Sequence, residues 1–221
     1  MHQKRVASGQ GKQPRFITVP NPGAHPKRES IPLVTLVRDV LGHADTAREA
    51  RRIIRDGHVL VNGKTRREPK YAVGLMDIAD IPELKKSFRI LPSKKGLYPK
   101  EIDDKEAGTR LCRIVNKSVL PKGKIQLNLH DGTGILLDKD EYRRKDTLMI
   151  DVKTGKVKDS IEFKEGNTAL VVHGRHSGEV GKIDEILPGT MKRESLTRVG
   201  ELQTLTKYLF VIGRDKALIS I

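Results

Sequence analysis

The chain has 221 residues, enough for two or three small domains and too many for one small module. Lysine and arginine number 43 against 28 acids, a formal net charge of +15, which points to a polyanionic partner and away from a small-metabolite enzyme. No run approaches the length of a membrane span, no basic amphipathic helix carries large apolar residues on its other face, and the polar N-terminus lacks a signal-peptide core. A soluble, cytoplasmic protein with no membrane partner is expected.

Cys112 stands alone, so no internal disulfide and no zinc site built from cysteine pairs can form. Trp is absent and Tyr and Phe number 4 each, too few for a platform that stacks bases. Recognition should rest on phosphates and on RNA shape.

Residues 1–29 scatter Lys4, Arg5, Lys12, Arg15, Lys27 and Arg28 among Gly, Gln and Pro, which predicts a basic extension. Ile31-Pro32 marks an entry, and Leu33 to Leu41 reads as a short apolar helix ending at Gly42. Asp45 or Thr46 can cap a second helix that runs through Ala47, Ala50, Ile53 and Ile54 and stops at Gly57. At about 100° per residue, Arg48, Arg51, Arg52 and Arg55 share roughly a quarter to a third of its circumference. The alanines and isoleucines take the other side. Like charges three and four apart repel by a few tenths of a kcal/mol per pair, and a polyanion laid against them reverses that sign. Glu49 and the terminal Asp56 leave few internal ion pairs, so an RNA-facing surface is preferred over a solvated helix face.

His58 to Val61 alternates like a strand, Asn62-Gly63 is a strong hairpin signal, and Lys64-Thr65-Arg66-Arg67 leaves the turn. Leu75 to Ile81 and Phe88 to Leu91 read as strands, followed by the turn-prone Pro92-Ser93-Lys94-Lys95-Gly96. From 97 to 165 the signals are mostly strands, with Glu101 to Glu106 a short helix. Ile125, Leu127 and Leu129 alternate with polar residues, and Asp131-Gly132 turns the chain into Ile135-Leu136-Leu137. Asp-Gly-Thr-Gly at 131–134 has a passing likeness to the aspartic-protease motif, but a hairpin turn explains it better. Leu148 to Ile150 and Ile161 to Phe163 continue the sheet. Beyond 166, five strands are expected: Ala169 to Val172, Val180 to Ile186, Leu196 to Val199, Tyr208 to Ile212 and Leu218 to Ile221.

Two helices followed by Gly57-His58-Val59-Leu60-Val61-Asn62-Gly63-Lys64 resemble the S4 RNA-binding domain. In that family the second helix and the hairpin grip structured RNA, which implies the same for Arg48, Arg51, Arg52, Arg55, Lys64, Arg66 and Arg67. His173 to Ile183 resembles the KOW motif, an RNA- or protein-binding loop of SH3-like barrels; its His173 and His176 lack a nearby third ligand for a metal. The order of these parts, with Pro22 to Pro26, Arg28 to Leu33, Gly74 to Asp77, Leu111-Cys112 and Phe210 to Gly213, resembles an archaeal member of the ribosomal S4e family.

The resemblance implies an α+β, multi-domain chain: a basic extension (1–29), a helix-helix-hairpin RNA-binding domain (30–92), a central strand-rich domain (93–165) and a C-terminal SH3-like KOW β-barrel (166–221). It implies a structural constituent of the small ribosomal subunit, partnered by small-subunit rRNA and neighbouring ribosomal proteins, with no catalysis, cofactor, metal or small-molecule substrate. Lys27, Arg28, Lys94, Lys95, Arg175, His176 and Lys182 join the expected RNA contacts. The alternatives are an RNA-modifying enzyme that docks through an S4 domain, or a KOW-type transcription or translation factor. The enzyme would need a catalytic domain or a glycine-rich cofactor fingerprint, and no such fingerprint is present.

Overall fold

The computed structural model describes residues 17–221, except Lys192 and the side chain of Lys122. The expected basic extension as far as Phe16, with Lys4, Arg5, Lys12 and Arg15, lies outside the described residues. The chain divides into two compact units. One holds the residues up to Arg110 with Asp131–Thr133 and Asp151–Lys156; the other holds Leu111–His130, Gly134–Ile150 and Val157–Ile221. Both are strand-rich, with few helices.

In the first unit, β1 (Ser30–Pro32) leads into α1 (Leu33–Thr35), which continues as a π-helical stretch over Leu36–Val40. Gly42, with φ 68°, ends it. Next come α2 (Ala47–Asp56), β2 (Leu60–Val61), β3 (Lys64–Thr65), β4 (Ala72–Gly74), β5 (Ile78–Ile81), β6 (Lys86–Ser93), β7 (Gly96–Ile102) and α3 (Asp104–Ala107). Strands β3-β2-β5-β6-β7 form one antiparallel sheet, and β1 pairs with β4 from Ser30↔Gly74 to Pro32↔Ala72. The core joins Leu33, Leu36 and Val37 to Ala50 and Ile54 of α2 and to Val61, Ala79 and Ile90 of the sheet. Full burial of a side chain such as Ile54 contributes roughly 1.5–3 kcal/mol.

Two expectations are corrected here. The strand expected from Leu75 begins only at Ile78, because Met76 takes a left-handed φ of 62° and its amide bonds to Ile90 O at 2.9 Å. The expected boundary between 92 and 93 falls inside the β6–β7 hairpin, whose register runs from Ser87↔Ile102 to Ser93↔Gly96.

The second unit carries two five-stranded sheets. The first has the order β10-β9-β8-β11-β12, from β8 (Thr109–Val119), β9 (Ile125–Leu129), β10 (Gly134–Leu137), β11 (Thr147–Asp151) and β12 (Val157–Ile161). Cys112, Ile114, Leu127, Leu129, Leu148 and Ile150 pack beneath it. The other has the order β16-β15-β14-β13-β17, from β13 (Thr168–Val171), β14 (Val180–Leu187), β15 (Leu196–Val199), β16 (Leu202–Leu205) and β17 (Leu209–Gly213). Its core takes in Ile161 and Phe163, which precede the expected domain start at 166. The strand expected at Leu218–Ile221 is absent. Its place in the count is taken by β16, which Gly200 (φ 57°) folds back onto β15 from Leu196↔Leu205 to Val199↔Leu202.

Candidate nucleic-acid interface

The second helix is fixed by a reciprocal cap. Thr46 Oγ1 accepts from Glu49 N at 3.2 Å, while Glu49 Oε2 accepts from the amides of Asp45 and Thr46 at 3.1 and 3.2 Å. Gly57, at φ 94°, closes the other end in the left-handed region. Ala50 and Ile54 are buried, and Arg48, Arg51, Arg52 and Arg55 are exposed. The cap has an electrostatic consequence, since Glu49 turns to its own N-terminus and away from the arginines. Arg52 Nε lies 3.7 Å from Asp56, an exposed pair worth a few tenths of a kcal/mol. Among the described residues no carboxylate pairs with Arg48, Arg51 or Arg55.

The hairpin follows from Asn62-Gly63, whose φ values of 52° and 70° are both positive, as a type I′ turn requires. Asn62 Nδ2 donates to Asp77 Oδ1 at 2.7 Å and its Oδ1 accepts from Ile78 N at 2.9 Å, so the turn is tied to β5. Lys64 and Arg67 are exposed. Arg66 is half-buried instead, with its guanidinium 4.4 Å from the centre of the Tyr71 ring. A packing role explains that placement.

Arg67 lies over the C-terminal end of α2, where cations interact well with the helix dipole; its Nε is 3.5 Å from where a Cβ on Gly57 would stand. With Arg51, Arg55 and Lys70 it lines a cleft of ≈ 230 Å³, floored by Val34 and Pro69. Among the described residues Glu68 is the only acid of that lining, and its carboxylate accepts from the Lys70 amide at 3.1 Å. Three guanidinium groups and one ammonium around a shallow cleft form a setting for phosphate oxygens. Sequence reasoning missed Lys70, because an isolated lysine between Pro69 and Tyr71 has no periodic signature.

A buried pair holds the chain that precedes β1. His25 Nε2 lies 2.9 Å from Asp77 Oδ2, and both side chains are almost wholly buried. Asp77 also accepts from Gly74 N at 2.9 Å. Burial opposes charge on His25, but the Asp77 carboxylate and its hydrogen bond outweigh it and hold the imidazole above its ordinary range. Burial likewise opposes charge on Asp77, yet His25, Gly74 N–H and the Asn62 amide together hold it below the usual carboxylate range. Lys27 and Arg28 follow at once in an exposed 3₁₀ turn, Lys27–Glu29. Lys94 and Lys95 are exposed at the β6–β7 turn.

In the second unit, His173 to Gly178 forms a loop between β13 and β14. Gly174 and Gly178 both have φ 92°, Gly178 N bonds Val171 O at 2.8 Å, and Ser177 Oγ donates to Val172 O at 3.1 Å. Arg175 is exposed. His176 Nδ1 lies 3.2 Å from Glu179, and the His173 ring meets Tyr208 edge-on at 5.5 Å. Lys182 projects from β14, 3.6 Å from Asp215. The Asp131 of the protease-like tetrapeptide is buried, paired with Arg110 and accepting from Thr133 N at 3.1 Å and Thr133 Oγ1 at 2.7 Å. That carboxylate is a turn anchor.

Comparison with known proteins places this geometry in context. Residues 31–78 match the model of the S4 domain, and residues 84–157 match that of the ribosomal family S4e. The chain is 42% identical to small ribosomal subunit protein eS4 of Archaeoglobus fulgidus, over 100% of this chain and 98% of the relative. It is 40% identical to the protein of that name from Methanothermobacter thermautotrophicus, over 95% and 89% of the two. The crystal structure of the 30S ribosomal protein S4e from Thermoplasma acidophilum superposes with a TM-score of 0.76 at 31% identity, covering 86% of this chain and 97% of that one.

Proposed function

This chain belongs to the ribosomal S4e family, and from that premise we propose that it is a structural constituent of the small ribosomal subunit that binds rRNA through basic surfaces and supports translation. The observation that carries the reading is the face of α2, where Arg48, Arg51 and Arg55 are exposed without carboxylate partners among the described residues while Glu49 is held in the helix cap. Phosphates supply the missing anions. Arg52, Lys64 and Arg67 extend the same surface, and Lys70 adds a cation to the cleft that Arg51, Arg55 and Arg67 line. Arg66 stiffens the hairpin through Tyr71.

Lys27, Arg28, Lys94 and Lys95 add phosphate contacts, as do Arg175, His176 and Lys182 of the second unit. The five-stranded sheet β13–β17 with its glycine-hinged loop is a KOW barrel in this reading, preceded by the basic extension, an RNA-binding domain that takes in the whole β6–β7 hairpin, and a central strand-rich domain. The partners are small-subunit rRNA and neighbouring ribosomal proteins, which puts the chain in the ribosome. It catalyses no reaction.

Co-sedimentation tests this. The chain should stay with the small subunit through a high-salt wash, as an integral component does. A docked RNA-modifying enzyme or a transient factor strips off, and release at the wash would contradict the proposal.

A further inference from the structure

The loop between β10 and β11 gathers charge that the surfaces above do not use. It runs Asp138-Lys139-Asp140-Glu141-Tyr142-Arg143-Arg144-Lys145-Asp146. Its first acids face lysines of neighbouring strands and turns, Asp140 pairing with Lys117 and Asp138 approaching Lys124 at 3.7 Å. Asp146 is buried and turned inward, accepting from the amides of Arg143 and Phe163 at 2.8 and 2.9 Å. Glu162, the nearby acid of the chain after β12, pairs with Lys164 and also feels the charge of Arg143. Arg143, Arg144 and Lys145 are exposed together, a local excess of positive charge.

Their placement is fixed by backbone contacts. Lys145 N donates to Ile114 O at 2.9 Å, and Arg144 Nε donates to Val115 O at 3.3 Å. On the same strand β8, Arg113 donates to the carbonyls of Lys207 and Leu209 at 2.9 and 2.8 Å. Lys145 Nζ stands 5.7 Å from the centre of the Phe163 ring. Burial first, then the positive charges of Arg144 and Arg113, hold the Lys145 ammonium below the ordinary lysine range.

Lys145 also has a φ of 78°, in the left-handed region that glycine enters freely and a lysine enters at a cost. The position has a local cause, as at Asn62 in the hairpin turn and Lys85 in the 3₁₀ turn: Asp146 N bonds back to Arg143 O at 3.4 Å, and Lys145 is the third residue of that turn. A glycine at 145 would suit the backbone and remove the repulsion. A lysine kept where the turn suits glycine, among exposed like charges, marks a site whose stabilising partner is a ligand.

We propose that Arg143, Arg144 and Lys145, backed by Arg113, form a second phosphate-binding shelf that takes consecutive backbone phosphates of rRNA. Calling the polyanion rRNA rests on the function proposed above; the shelf is carried by a different unit of the chain from α2 and the β2–β3 hairpin.

The decisive variant is Lys145→Gly, which deletes the charge and fits the backbone, so folding is not at risk. The full chain is titrated with small-subunit rRNA at several salt concentrations. Lys145→Gly should flatten the log-log salt slope by roughly 0.7–0.9, and the triple variant Arg143→Gln, Arg144→Gln, Lys145→Gly by about three times that. The melting temperature of Lys145→Gly should equal or exceed that of the parent. In parallel, an acylating reagent should label Lys145 in the free chain and fail to label it once rRNA is bound, as mapped by mass spectrometry.

An unchanged slope in the folded triple variant overturns the shelf, and so does equal labelling with and without rRNA. Protection that appears only in the assembled subunit also overturns it, by assigning the shelf to an acidic neighbouring protein. If Arg48→Ala and Arg51→Ala flatten the slope while the triple variant does not, the shelf fails and the α2 surface stands. A chain that binds no rRNA overturns both.

Discussion

His25 and Asp77 hold each other charged inside the first unit, and the two pull stability in opposite directions with pH. The raised pKa of His25 adds stability that is complete below about 6.5 and is lost as pH rises through the raised value. The lowered pKa of Asp77 adds stability that is complete above about 3.9 and is lost as pH falls through the lowered value. The pair therefore contributes most between roughly pH 4 and 6.5. Melting curves should show stability falling on the alkaline side of that window, and His25→Gln should remove that fall; an equal fall in the variant would show that His25 is not its source. Gly74→Ala attacks the same contact sterically, since its Cβ would stand 2.3 Å from His25 Cγ. We expect a loss of about 1–3 kcal/mol in denaturant unfolding, as overpacking gives, and a neutral result would mean that the ring moves aside freely. None of this was legible in the sequence, because the two partners lie 52 residues apart. The arginines of α2 were legible, because 3.6-residue periodicity is a local property that depends on no distant partner.

Elements follow the same division between local and distant causes. The span of α2 could be read from Thr46, Glu49 and Gly57, since a cap is made by residues within one turn of it. Thr46→Ala should lower stability by about 1 kcal/mol, read from the denaturant midpoint, and also free Glu49 to turn toward the arginines. A midpoint that does not move would mean the capping bonds add nothing net. The β2–β3 turn was equally readable from Asn62-Gly63. β16 was not: Leu202-Gln203-Thr204-Leu205 carries little apolar signal, and it becomes a strand because the Gly200 turn delivers it to β15. The Met76 break in the expected Leu75–Ile81 strand is invisible for a similar reason, since a methionine gives no hint of a left-handed backbone. In the loop after β13, Gly178→Val should cost about 1–3 kcal/mol, because a β-branched residue strains at φ 92°. An unchanged melting temperature would show that the loop can rearrange without loss.

For the whole molecule, composition points to the class of partner proposed above: a net charge of +15 with no Trp favours phosphates over stacked bases. The division of the chain was harder to read, because β6 pairs with β7 across the expected boundary and Ile161 joins the core beneath β13–β17 from outside 166–221. Ile161 is drawn in by distant strands, which local patterns do not encode, whereas β6–β7 is a local hairpin whose turn-prone Pro92 to Gly96 reads equally well as a domain boundary. The central claim is that the arginine face of α2 neutralises rRNA phosphates. It is tested most directly by titrating small-subunit rRNA with the full chain at several salt concentrations, for the parent and for Arg48→Ala, Arg51→Ala and Arg55→Ala. Each variant should keep its circular dichroism, because alanine is the better helix former and the altered face is unpacked, and each should flatten the log-log slope by roughly 0.7–0.9. Binding should weaken about equally across RNA sequences, since phosphate contacts carry no base information. Unchanged slopes in fully folded variants would contradict the claim and reduce the face to solvated charge.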